Sequence, residues 1–225
     1  MSEELRNPVW HSLNGAHARL AERVGEAMRY PSEVSPFAAL PLEPDEAAWA
    51  DAAKLVGPGG IVLVTGPPRT APPGWERFEV APGVQMIDDG VTGERDPEAV
   101  RLTTADVPEM RELAARTKPG PFEQRTIELG TYLGIRRGGK LIAMAGERMH
   151  PPGWTEISAV CTDPGFQGQG LASRLIRTLV VDIRARGERP FLHAVDTNTG
   201  AIALYERMGF RIHRRPVFQA VRAPA

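Results

Sequence analysis

The stretch Thr162–Leu175, TDPGFQGQGLASRL, constrains this chain more than any other. Three glycines, Gly165, Gly168 and Gly170, fall within six residues, and a long amphipathic run follows at once. A glycine in a regular element costs roughly 0.5–1 kcal/mol relative to alanine, so a junction with three of them needs a reason. In the run behind it Leu171, Leu175, Leu179 and Ile183 recur every four residues, with Ile176 and Val180 beside them, and Gly187 ends it. That pattern is a helix with one apolar face. Ahead of the glycines, WTEISAVCT reads as a strand. Strand, glycine loop and helix together make an anion site. The first N–H groups of the helix lack internal partners, the helix dipole places partial positive charge there, and glycines let a phosphate approach the backbone. The amides of Gln167–Ala172 are expected to hold such a group.

Two common phosphate loops do not fit. A dinucleotide fold wants Gly-x-Gly-x-x-Gly, whereas the order here is Gly165-x-x-Gly168-x-Gly170. Asp196, at the end of the next strand, keeps that rival in view as a third reading, an oxidoreductase. A P-loop needs Gly-Lys-Ser/Thr, which is absent.

The spacing Gln167-Gly-Gln-Gly170-Leu-Ala172 resembles the Q/R-x-x-G-x-G/A signature of the GNAT superfamily of N-acetyltransferases. The similarity extends to Asn198, Tyr205 seven residues later and the Gly209–Phe210 ending of the next helix. It covers about residues 99–221. The resemblance implies a mixed α/β (α+β) fold, a mostly antiparallel sheet flanked by helices. It also implies acetyl-CoA as cosubstrate, no metal, and transfer of an acetyl group to a primary amine of a small molecule or peptide. On that basis the cofactor contacts are expected at Val160, Cys161, Thr162, Gln167, Gly168, Gln169, Gly170, Leu171, Ala172, Ser173 and Asn198, with Asn198 touching CoA or capping its helix. A CoA-binding sensor or interaction module with degraded catalysis is the alternative; it would lack the acid and base.

The chemistry then asks for three groups. A fixed backbone dipole must meet the acyl oxygen as it gains charge, and the Val160 N–H is the candidate. An amine of pKa near 10.4 must lose its proton before attack. Glu156, eleven residues before Gln167, stands where the resemblance to the family implies a glutamate base, with Glu147 as rival and His193 third. The leaving thiolate needs a proton donor, and the resemblance implies that Tyr205, which matches the family's tyrosine, fills that role. Cys161, the one cysteine, reads as a small core residue rather than a nucleophile.

Composition bears mainly on what is excluded. A net charge of −1 over 225 residues argues against a nucleic-acid footprint. No apolar run approaches the ~18–20 residues of a membrane span, and MSEELRNPVW has no signal-peptide core. A single cysteine suits a reducing compartment, so a cytoplasmic protein is expected, with a homodimer left open. Of 21 prolines, 12 lie at or before Pro97, and GERDPEAV is polar and turn-forming. A boundary is therefore placed at residue 96. Residues 1–96 are read as an accessory segment or worn half of the same fold, residues 97–225 as the acetyltransferase domain. In the first segment VWHSLNGAHARLAERVGEAM is expected as one helix, EPDEAAWADAAKLVG as a second, and WERFEV and VQMI as separate weak strands.

Overall fold

The computed structural model describes residues 3–225. Its elements run α1 (Pro8–Asn14), β1 (Glu22–Val24), β2 (Ala27–Arg29), β3 (Ala38–Ala39), α2 (Glu46–Val56), β4 (Ile61–Gly66), β5 (Glu76–Asp88), β6 (Val100–Arg101) and α3 (Val107–Thr117). They continue with β7 (Tyr132–Arg137), β8 (Lys140–Glu147), β9 (Trp154–Thr162), α4 (Leu171–Ala185), β10 (Arg189–Val195), α5 (Thr199–Met208), β11 (Phe210–Arg214) and β12 (Val217–Arg222). Eight strands follow one another in a sheet of order β4-β12-β5-β10-β9-β8-β7-β6, and β11 joins it as a ninth by pairing with β5. Only the β9–β10 contact is parallel within that sheet. That follows from the α4 crossover, because parallel neighbours need a long connection.

The main core lies between α4, α5 and one sheet face. Leu171, Leu175, Ile176, Leu179, Val180 and Ile183 are all buried there against Ile135, Ala143 and Ile157. The other face carries α3 at one end, over Met110, Leu113 and Met144, and the N-terminal segment at the other. Leu5, Val9, Leu13, Tyr30 and Phe37 of that segment pack on Ile87, Trp154 and Phe191 of the sheet. His17 ties the two parts together: its Nδ1 meets the Tyr30 hydroxyl at 2.8 Å and its Nε2 meets the Leu129 carbonyl oxygen at 3.0 Å.

The expected first helix is cut short. It ends at Asn14, Gly15 caps it, and a short helical turn at Ala18–Leu20 and then a hairpin of β1 and β2 occupy the rest. Gly25 turns that hairpin with φ +52°, a conformation glycine adopts without steric cost. WERFEV and VQMI form one long strand, β5, rather than two. Its far end, Val84–Ile87, pairs with β10 and its near end with β12. The position chosen for the boundary, residue 96, lies in a connector, yet the sheet runs across it, because β5 sits between β10 and the last two strands. No described helix is long and apolar enough to cross a membrane.

Candidate active site

Strands β9 and β10 are paired from Trp154–Arg189 to Ile157–Leu192 and part beyond that point. Two features hold them apart. Past Leu192, β10 continues along β5, Ala194 against Val84 and Val195 against Gly83. Strand β9 carries a bulge: Met144 faces Cys161 and Gly146 faces Ser158, so Ala145 opposes both Ala159 and Val160. Ala159 takes φ +52° there, a backbone state that non-glycine residues rarely occupy and that needs surrounding structure to hold it. The wedge between the strands opens into a cavity of about 380 Å³. Ser158, Ala159 and Val160 line it from β9, His193, Ala194 and Val195 from β10, with Asn198 at the cap of α5 and Tyr205 within that helix.

Past the end of β9 comes the glycine loop. Gly168 and Gly170 have φ +76° and +73° and open space where a side chain would stand. Their glycine requirement is therefore conformational. Gly170 caps α4 with no side-chain hydrogen bond, which leaves the first-turn amides of Leu171, Ala172 and Ser173 without the partner that a capping oxygen would supply. Gln167, Gly168 and Gln169 are exposed. Arg174, one turn in, is committed elsewhere: its guanidinium binds Asp96 and Glu98, fastening the connector to α4.

Tyr205 is buried at the cavity wall, and its hydroxyl makes no hydrogen bond among the described residues. Burial pushes its pKa up to about 12, so the phenol keeps its proton across the working pH range. Asn198 caps α5, its side-chain oxygen accepting from Ala201 N–H at 3.1 Å. Cys161 turns its side chain into the cluster under α3, and burial pushes its thiol up to about 11. An inert core thiol is the result. Thr162 continues the ladder opposite Ala143.

The base expected at Glu156 is corrected by the structure. Glu156 has no exposed surface. Its Oε2 accepts from Arg148 Nε at 2.9 Å, while Oε1 accepts from Arg148 Nη2 at 2.6 Å and lies 2.7 Å from His193 Nδ1. Burial alone would raise its pKa, but the Arg148 charge and hydrogen bonds, with His193, draw it down to about 2. A carboxylate so held has no affinity for an amine's proton and no surface on which to meet the amine. The rival, Glu147, is bound to Arg186 at 2.8 Å and to Thr131 N–H at 3.1 Å, and is not among the cavity-lining residues. His193 does line the cavity. Its Nε2 faces Gln85 Nε2 at 3.0 Å, and that amide also donates to the Leu5 carbonyl. This arrangement makes Nε2 the unprotonated nitrogen and Nδ1–H the donor to Glu156.

Sequence reasoning missed Arg148, Phe37, Leu63 and Phe218, which line the cavity, and Gln85, which meets His193. They come from five separate places in the chain, and no local pattern links them.

A profile of the FR47-like protein family matches residues 132–218. The N-alpha-acetyltransferase RimI of Mycobacterium tuberculosis is 35% identical over 133 residues, which are 54% of this chain and 83% of that protein. The chain belongs to the GNAT superfamily of acetyltransferases. A [ribosomal protein bS18]-alanine N-acetyltransferase of Escherichia coli is 30% identical over 115 residues, covering 48% of this chain and 77% of the relative. Among solved structures, a putative GNAT acetyltransferase from Novosphingobium aromaticivorans superposes over the whole of both chains with TM-score 0.89 and 41% identity. A GCN5-related N-acetyltransferase from Kribbella flavida, at 15% identity and TM-score 0.63 over 100% of this chain and 97% of that one, shares the fold. GNAT enzymes draw their acetyl group from acetyl-CoA, and the mixed sheet with flanking helices is theirs. No group of three or more His, Cys, Asp or Glu among the described residues is placed to hold a metal ion.

Proposed function

We propose that this acetyltransferase moves an acetyl group from acetyl-CoA to a primary amine in the wedge between β9 and β10. The observation that carries the reading is the opened strand edge: Ser158, Ala159 and Val160 share one cavity with Tyr205, and the same strand runs on into the glycine loop. In this reading the CoA pyrophosphate sits on the amides of Gln167–Ala172 with Ser173 beside them, and pantetheine lies along Ser158–Thr162 where β10 has withdrawn. The Val160 N–H meets the acyl oxygen as it gains charge.

The amine nitrogen attacks the acetyl carbon, the carbon–sulfur bond breaks, and Tyr205 gives its proton to the departing thiolate. The amine's surplus proton goes to His193 at Nε2 through one water, because the His193 side chain is only 1% exposed and meets no substrate atom directly. Taking it requires the Gln85 amide to withdraw; the Gln85 Oε1, buried without a partner, is the acceptor that can turn toward the new N–H. Glu156 acts as a positioning residue, holding the Nδ1–H so that Nε2 is the basic nitrogen.

The test is Tyr205→Phe, which keeps the ring and its packing. Loss of a general acid costs roughly 10²–10⁴ in rate, so kcat should fall by that factor while acetyl-CoA still raises Tm as in the parent. A kcat within twofold of the parent, with chemistry rate-limiting, removes Tyr205 from the mechanism. A Tm unmoved by saturating acetyl-CoA removes the donor.

A further inference from the structure

The cavity lining has a chemical bias. Its walls are mostly apolar, with Phe37, Leu63, Ala81, Phe218, Pro119 and Pro121 among the lining residues. Its charged lining residues are Lys118 and Arg148, and no Asp or Glu is among the lining. A site built for a polycation needs carboxylates, and this one offers only positive groups.

Arg148 supplies the specific element. Its side chain is 11% exposed and reaches the cavity wall, with the guanidinium 5.1 Å from the Phe37 ring centroid. A guanidinium has five N–H groups in a flat fork. One edge, Nε and Nη2, is spent on Glu156. The other edge, Nη1 with the second Nη2 hydrogen, has no hydrogen-bond partner among the described residues. Glu156 thus holds the group rigid without using all of it, and the free edge has the spacing of a carboxylate. Lys118, exposed at the Lys118–Pro121 stretch, adds a second positive charge.

Resting on the acetyl-transfer reading above, we propose that the acceptor is a small apolar primary amine bearing a carboxylate, the chemistry of a free hydrophobic amino acid, with the carboxylate on the open edge of Arg148. The cavity also receives the tip of pantetheine, so its volume of about 380 Å³ suits a small acceptor. The apolar side chain faces Phe37 and Phe218, and the amine faces His193.

The experiment measures thiol release from acetyl-CoA by the full chain with L-phenylalanine, L-leucine, their amides, phenethylamine, spermidine and kanamycin. A charge-assisted pair lost from the acceptor should lower kcat/KM roughly ten- to hundredfold, so L-phenylalanine should exceed both its amide and phenethylamine by that factor. Arg148→Lys keeps the charge but not the fork, and should bring the phenylalanine-to-phenethylamine ratio near one. Should that variant fail to fold, the parent panel decides. Equal rates with amide and acid, or a preference for spermidine or kanamycin, overturn the proposal. Thiol release with none of these acceptors also overturns it. In that case, acetyl-CoA still raising Tm leaves the donor site standing, whereas an unmoved Tm brings down the acetyl-transfer reading itself.

Discussion

The two ends of the cavity are built by different means. The donor end is one continuous stretch, Ser158 to Ser173, closed by α5, and it presents backbone: an opened strand edge, two left-handed glycines and uncapped helix amides. The acceptor end is side chain throughout. Phe37 comes from the loop before β3, Leu63 from β4, Gln85 from β5, Arg148 from beyond β8, His193 from β10 and Phe218 from β12. Backbone presented by a short motif serves any acyl-CoA and tolerates most side-chain changes. A pocket assembled from six distant places can change its ligand one residue at a time, which is how a single fold comes to serve many acceptors.

Three substitutions sharpen that contrast, and Gly170→Glu should have the largest effect. It puts a carboxylate where the phosphate approaches and a side chain on a backbone at φ +73°, which costs stability on the order of 1–2 kcal/mol. Acetyl-CoA binding should vanish in calorimetry while the far-ultraviolet circular dichroism remains that of the parent. Normal CoA affinity in a folded variant would place the pyrophosphate elsewhere.

Glu156→Gln comes next and should act on the acceptor end alone. It strands the Arg148 charge in the interior, and breaking a buried pair costs about 3–5 kcal/mol. Denaturant titration should show that loss, with acetyl-CoA Kd in the surviving folded fraction unchanged. The parent carries a matching pH signature. Because the Glu156 pKa is lowered on folding, its contribution is complete above the ordinary carboxylate value near 4.5 and is lost as pH falls toward about 2. The variant should lack that part of the acid slope. A stability difference independent of pH between 5 and 2 would deny the ion pair.

Cys161→Ala should have the smallest effect. The thiol is buried under α3, and the proposed reaction gives it no step. Trimming one atom should cost roughly 1 kcal/mol of stability and leave kcat within twofold. A large fall in kcat with unchanged Tm would assign the thiol a role that its burial denies.

This contrast also explains what the sequence disclosed. The strands Trp154–Thr162 and Arg189–Val195, the helices behind the glycine loop and before Gly209, and the hairpin turning at Arg137–Lys140 stand where periodicity and turn residues placed them. Each is a local signal, since alternation, four-residue recurrence and a terminal glycine are properties of neighbouring residues. Tyr205 was singled out by the GNAT resemblance, seven residues after the Asn198 cap, and the structure places it at the cavity wall. Glu156 was legible as a polar residue in a strand, but its partners Arg148 and His193 are joined to it by sheet register, which no local pattern records. Gly15 and Gly25 stand inside the stretch expected as the first helix, and the backbone ends the helix at the one and turns a hairpin at the other.

Strand β5 sets a schedule for the growing chain. Made in the first half of the chain, it can be completed only by partners made last: Met86 lies beside Leu192 and Ile212, and Ala81 beside Phe218. Such distant pairings form slowly, because the long loop between them must close before any contact is gained. Until β10, β11 and β12 emerge, β5 waits with both edges bare, an apolar ribbon open to the wrong neighbour. The acceptor pocket, with walls on β4, β5 and β12, is therefore among the last parts of the molecule to exist, and an enzyme released before its final dozen residues would have its donor loop and no place to put an amine.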